Sequence, residues 1–432
     1  MNHPAAAIAS GTGDRRNGQR RDVVAVLAIT TTIGYGVLYY AFSALLAPMT
    51  HDLRISTTTA TGALTTAVLV SAAMAIPVGR WLDARGGHGV MTAGSLVATV
   101  AVLAWSQVQT PAQLYAVFVA IGAASAMVLY QPAFAILVAV TAPAKRGNAL
   151  LGITLVAGFA SSIFIPLTGQ LIHAYGWRNA LVVLAAVVAL ITVPLHAVGL
   201  RHTRPATSTG THHVPRSPTR VLRDAGFWLI ACAFILHSAA LAVMAVHLVT
   251  YLTQLGHSPT VAATLTGLLG LLSVTGRIIT TVAKRLLPIT LVAAGIITLQ
   301  GVAIALLPFI GSTVTGAAIS LILFGLGFGV ASIATPAILL DRYGDEGYAT
   351  IAGILGTPTT ISRATAPLAA AALTAITGYR PLILGAAAAC ITAGLFLALT
   401  RRRDHAAQPH HAARTHPDKQ ASPSSRARTP EA

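Results

Sequence analysis

Tyr348–Gly378 reads YATIAGILGTPTTISRATAPLAAAALTAITG. The stretch is long enough to span a bilayer, yet it carries a charge, Arg363. About 14 residues separate Arg363 from the start of the span, or ~21 Å at 1.5 Å per residue. That depth is near the middle of a hydrocarbon layer about 30 Å thick. A lone arginine there costs about 2.5–3.5 kcal/mol on insertion scales. A chain tolerates the cost when the guanidinium faces a bundle interior or a watery cavity. Thr357, Thr359, Thr360, Ser362 and Thr365 surround it with hydroxyls. We read the stretch as a cavity-lining helix and Arg363 as the first candidate for a ligand contact. The alternative is an arginine that only braces neighbouring helices through their carbonyls.

The rest of the chain fits that setting. Of 432 residues, 55% are hydrophobic and 9% charged, with a mean hydropathy of +0.73. Soluble domains carry about 25% charged residues, so a polytopic helical membrane protein is expected. The start is polar and basic and the first apolar run is too long for a signal sequence, so no cleavable signal peptide is expected. Cys232 and Cys390 both fall in apolar runs and suggest neither a disulfide nor a metal site. About twelve spans run from Val23–Met49 to Pro381–Thr400. They divide the chain into an N-tail (1–22), a first six-helix half (23–200), a cytoplasmic linker (201–226), a second six-helix half (227–400) and a disordered C-tail (401–432). Net charge is +17, but the charges lie in tails and short loops, which argues against nucleic acid. Alternating the loops puts 24 of the 28 Lys and Arg residues on one face and three on the other. This bias places both termini in the cytoplasm.

The two halves repeat. Leu53-Arg54-Ile55-Ser56 matches Leu255-Gly256-His257-Ser258, and Gly79-Arg80 matches Gly276-Arg277. Pro132-Ala133 matches Pro336-Ala337. Pro166-Leu167 with Gly176-Trp177-Arg178 matches Pro367-Leu368 with Gly378-Tyr379-Arg380. Four pairs in order near one offset predict a six-plus-six parallel repeat, with a substrate site near the midplane between the halves. Arg363 aligns with Ser162, so the charge is not part of the repeat.

At Gly79-Arg-Trp-Leu-Asp83-Ala-Arg85-Gly86 the chain resembles the major facilitator superfamily, whose loop between spans 2 and 3 reads roughly G-x-x-x-D-R-x-G-R-R. The resemblance implies that this loop latches the cytoplasmic side of the bundle in one of two states. Asp83, Gly79 and Arg85 would then be gating residues; the bland alternative for Asp83 is a solvated loop carboxylate. Lys145-Arg146-Gly-Asn-Ala149-Leu-Leu-Gly152, followed by Gly158, and Gly176-Trp177-Arg178 are similar to the monocarboxylate-porter and oxalate/formate-exchanger branch. That branch implies that basic residues on spans 8 and 11 hold substrate carboxylates, and Arg277 and Arg363 occupy the matching places. Arg277 also reads as a cytoplasmic anchor equivalent to Arg80. The chain departs from the branch at Ser273, where an acidic residue is usual, at TTIGYG in span 1, and at Gln131.

None of the 11 acidic residues lies deep in a span, so coupling through a buried carboxylate is unsupported. His237 and His247, both on span 7, are groups within spans that titrate near neutral pH. His237, the deeper, is the candidate for proton coupling, against a hydrogen-bonded packing role. Tyr39, Tyr40, Tyr130, Gln131, Ser161 and Ser162 are further cavity candidates, each of which could instead cross-brace helices. No phosphate-binding loop, nucleophile–base pair or metal-ligand cluster argues for an ATP-driven pump or an enzyme, and no cofactor or metal is expected. The expected function is secondary transport of a small organic anion, a carboxylate, by alternating access. The rivals are an exporter of drugs or natural products and, more remotely, a membrane sensor with a transporter fold. The expected partners are the anion, the lipid bilayer, and a coupling proton or exchanged anion. The expected location is the plasma membrane, a bacterial inner membrane.

Overall fold

The computed structural model describes residues 22–201, 203 and 218–407. Among them the chain is almost all helix, without strands. Twelve long helices follow in order: α1 (Asp22–Leu53), α2 (Thr57–Arg85), α3 (Gly87–Ser106), α4 (Pro111–Val140), α5 (143–175), α6 (177–199), α7 (Ala225–Gln254), α8 (Pro259–Ala283), α9 (Ile289–Ile310), α10 (Val314–Tyr343), α11 (Tyr348–Thr377) and α12 (Tyr379–Ala407). Ten runs are long and apolar enough to cross a membrane. One of these, Pro143–Gly199, holds both α5 and α6, parted by non-helical backbone at Gly176. The twelfth span, α11, is 30 residues long but not apolar enough to count with the ten. Its hydroxyls and Arg363 lower its hydropathy, as befits a helix that faces a polar space.

The repeat has a structural basis. Ser56 caps α2 by accepting from Thr59 N–H, and Ser258 caps α8 by accepting from Val261 N–H. Thr110 and Thr313 cap α4 and α10 in the same way. Such caps satisfy backbone donors that the helix leaves open. The α1–α2 turn uses a positive φ at Arg54 (52°), and the α7–α8 turn one at Gly256 (97°). Gly176 and Gly378 share φ 78° with ψ 163° and −178°, a region essentially closed to residues with a Cβ. Each half has its own core: Phe42, Trp105 and Phe118 cluster in the first, and Phe227, Phe234 and Phe324 in the second.

Several helices are interrupted. α1 contains a π segment, Gly36–Tyr40, closed by the bond from Ala41 N–H to the Gly36 carbonyl. α4 breaks at Leu129 and α10 at residues 327–329. α11 carries Pro358 and Pro367, which remove backbone donors within the helix. The expected disordered tail starts too early: α12 continues through 401–407. The remainder of that tail, the N-tail through residue 21 and most of the linker lie outside the described residues.

Candidate functional site

The halves meet along a ladder of contacts that begins at the face bearing most of the Lys and Arg. The Asp83 carboxylate, at the end of α2, accepts from Ala349 N–H (3.1 Å), Thr350 N–H (2.8 Å) and the Thr350 hydroxyl (2.6 Å). It therefore caps the N-terminus of α11 from the opposite half, where a negative charge also suits the helix dipole. Beside it, Arg146 at the start of α5 pairs with Asp345 at 2.8 Å. A Cβ on Gly79 would lie 2.5 Å from the Ala349 carbonyl oxygen, and one on Gly353 would lie 2.6 Å from that of Ala75. Both glycines are needed for the approach of α2 to α11. Arg85 is exposed, with its guanidinium 5.9 Å from the Trp81 ring centre, and makes no hydrogen bond to the second half among the described residues. A cavity of about 420 Å³ lies at this face, lined by Arg80, Asp83, Asp345, Glu346 and Tyr348 among others.

Deeper in, Arg277 on α8 donates from Nη1 to the Thr154 carbonyl of α5 at 3.0 Å. It is packed between Gly158 and Gly329, where added Cβ atoms would each crowd it at 2.7 Å. Gln131 on α4 fills the space that a side chain at Gly356 would need. The Thr357 hydroxyl donates to the Ala72 carbonyl at 2.8 Å. Among the described residues, every hydrogen bond or ion pair given between the halves lies between the basic face and this level. Arg363 follows Thr357 by six residues, or ~9 Å along the helix, beyond the last link.

Arg363 is exposed and has no hydrogen-bond or ion-pair partner among the described residues. Its charge acts on Tyr35 and Tyr40, and that of Arg277 acts on Tyr40 and Tyr130. The tyrosines form one group: Tyr35 and Tyr130 have ring centres 4.7 Å apart, Tyr35 and Tyr40 6.4 Å, Tyr39 and Tyr40 5.3 Å. Phe134 stacks behind Tyr130 at 5.1 Å. The hydroxyls of Tyr35, Tyr40 and Tyr130 make no hydrogen bond to a described residue. They are also absent from the buried unpartnered groups, so they open into accessible space. Arg277 keeps Nη2 in the same condition, while its Nε is buried without a partner. The surroundings of the ring group thus present donors, positive charge and ring surface, and no carboxylate among the described residues acts on the three tyrosines. They can hold an anion.

Tyr40 and Tyr130 belong to one ring group, which the charges of Arg363 and Arg277 reach, with Tyr39 at its rim, 45% exposed. Gln131 lies against α11 in the floor below. Ser162 is exposed on α5 and makes no hydrogen bond among the described residues; the contacts do not join it to the group. Tyr35 is the member that sequence reading missed. In a regular helix, positions five apart fall on different faces, but the π segment winds in an extra residue and returns Tyr35 to the side of Tyr40. The signal was the GYG of TTIGYG, since a Cβ on Gly36 would meet the Phe164 ring.

His237 lies elsewhere. It is fully buried within the second half, with Nε2 2.9 Å from Gln300 Oε1. Gln300 Nε2 donates to the Phe324 carbonyl at 2.9 Å, so its Oε1 is the acceptor and His237 donates from Nε2. Nδ1 is buried without a partner. His247 meets the Pro367 carbonyl at 3.1 Å, also within the second half.

The comparisons with known proteins agree with this architecture. Residues 27–364 match the family model described as Major Facilitator Superfamily. An MFS-type efflux pump of Mycolicibacterium smegmatis is 34% identical over 249 residues, covering 54% of this chain and 56% of that protein, so the chain matches about half the length of that relative. The E. coli fucose:proton symporter FucP superposes with a TM-score of 0.69 at 13% identity, over 87% of this chain and 98% of that one. The human organic anion transporter MFSD10 superposes with a TM-score of 0.66 at 15% identity, over 88% and 99%. Twelve paired helices and a family match over most of their length lead to one conclusion: the chain belongs to the Major Facilitator Superfamily, and it is an integral multi-pass membrane transporter rather than an enzyme.

Proposed function

We propose that this transporter moves a small organic anion, a carboxylate, across the plasma membrane by alternating access, in the manner of the monocarboxylate-porter and oxalate/formate-exchanger branch. The observation that carries this reading is the exposed guanidinium of Arg363, without a partner among the described residues, in the middle of the 30-residue helix α11. A cation within a span is tolerated where it faces a watery space, and there a carboxylate can pair with it through a bidentate bond. Arg277 adds a second positive charge and an open Nη2, and its bond to Thr154 ties that charge to α5 of the first half. Asp83 and Gly79 act as the cytoplasmic gate by holding α2 on the N-terminus of α11. The position of His237 inside one half supports exchange of one anion for another over a proton route through that residue.

Export of lipophilic compounds is the second reading, and the efflux-pump relative favours it. Ligand-induced thermal stabilisation separates the two. The purified wild type and Arg363→Ala are tested against mono- and dicarboxylates and against lipophilic drugs. Stabilisation by carboxylates that disappears in the variant supports the anion porter. Stabilisation by lipophilic drugs that is unchanged in the variant supports the exporter and leaves Arg363 without a substrate role.

A further inference from the structure

Four of the chain's ten tyrosines, residues 35, 39, 40 and 130, gather at one place, within reach of the charges of Arg277 and Arg363. The helices are otherwise rich in Ala, Leu, Val and Ile, which would line an apolar pocket at less cost. A tyrosine in a membrane span brings a hydroxyl that needs a partner. Tyr35, Tyr40 and Tyr130 have none among the described residues, yet their hydroxyls reach accessible space. Phe134, only 7% exposed, stacks behind Tyr130 with an interplanar angle of 18° and fixes the plane of its ring. The Tyr35 ring is tilted by 50° to that plane, 4.7 Å away. The tyrosine rings come from α1 and α4 of the first half, whereas both guanidinium groups come from α8 and α11 of the second.

We infer that the anion is an aromatic monocarboxylate, its carboxylate held by Arg363 and its ring seated against Tyr35, Tyr40 and Tyr130. This rests on the anion-porter reading and narrows it. Arg277 is already committed through Nη1 to Thr154, which leaves one wholly free guanidinium and so one carboxylate. Ring surface with tilted planes suits edge-to-face and offset contacts with a flat π system, which a puckered aliphatic ring of similar volume does not reproduce. Since the charge and the rings belong to different halves, a ligand that uses both bridges them at the level where the protein's own contacts end. An aliphatic carboxylate would use the arginine and gain little from the tyrosines.

The test compares benzoate with cyclohexanecarboxylate, equal in charge and close in size, by competition binding to the full-length protein in detergent. Wild type is expected to hold benzoate about three- to tenfold more tightly, the range of one good aromatic contact. Tyr130→Leu should bring the ratio near one, and Tyr35→Leu should lower it independently. Arg363→Ala should weaken both ligands together. Equal affinity of the two in wild type, with both lost in Arg363→Ala, overturns the aromatic assignment and leaves the anion porter standing. Indifference of both ligands to Arg363→Ala, or binding of neither, overturns both. The wild-type ratio alone decides the matter if a tyrosine variant fails to fold.

Discussion

Arg363 and Arg277 are both arginines at membrane depth, but their surroundings differ. Arg277 is anchored by a carbonyl and crowded by glycines; Arg363 is free among the described residues. Arg363→Lys keeps the charge and loses the planar fork. We expect it to weaken carboxylate binding by about tenfold, or ~1.4 kcal/mol, within the range of charge-assisted bonds, as a Kd measurement would show. Asp83→Asn keeps one acceptor for the α11 N-terminus and loses the charge. The cost of weakening such a cap is about 1 kcal/mol, expected to raise the share of cytoplasm-open molecules several-fold by spectroscopic distance measurement. Asp224 offers a pH test outside the membrane. Burial raises its pKa, but the hydrogen bonds from Arg342, Gly226 N–H and Tyr343 outweigh burial and hold it below the ordinary carboxylate value. A depressed folded pKa contributes stability that is present above about pH 4 and lost as the pH falls through the lower folded value. The thermal midpoint of Asp224→Asn should therefore lie below wild type at neutral pH and converge on it in acid. Arg363 was legible in sequence because a charge in an apolar run stands out. The partner of Arg277 was not, because Thr154 lies 123 residues away and only the packing of α5 on α8 joins them.

At the scale of elements, α11 does three jobs along its length. Its N-terminus is capped by Asp83, its Gly353 and Thr357 meet α2, and Arg363 stands beyond the last of the hydrogen bonds between the halves among the described residues. The loop resemblance drew attention to Asp83, which the structure places against the N-terminus of α11. Which backbone Asp83 would cap was not legible, because that bond joins residues 83 and 350 across the two halves. The missed Tyr35 has a different cause: a periodicity of 3.6 residues does not anticipate the π segment in α1. The turns between α5 and α6 and between α11 and α12 were readable as a repeat, and their shared geometry at Gly176 and Gly378 explains it. Gly176→Ala forces a Cβ into backbone geometry that costs about 1–3 kcal/mol. We expect a lower thermal midpoint for that variant without a change in ligand preference.

At the scale of the molecule, the contacts between halves occupy the basic side, and the bonds near the opposite ends stay within each half. Asp52 binds Trp177 and Arg178, and His257 meets the Gly311 carbonyl. On the proposed reading, with the basic face in the cytoplasm, this state is closed inward and the arginine–tyrosine group lies outside the closure. The same site must face the cytoplasm once the ladder from Asp83 to Thr357 opens. Distances between spin labels on the two halves should lengthen on the basic side and shorten on the opposite side when the latch is broken, whereas a rigid receptor would show neither change. The most direct measurement is exchange of a radiolabelled carboxylate in proteoliposomes holding wild type or Arg363→Ala. Saturable exchange by wild type, reduced at least about tenfold in the variant as the loss of a charge-assisted pair requires, is the expected result. Equal exchange by the two proteins would contradict the assignment of Arg363 as the anion's ligand.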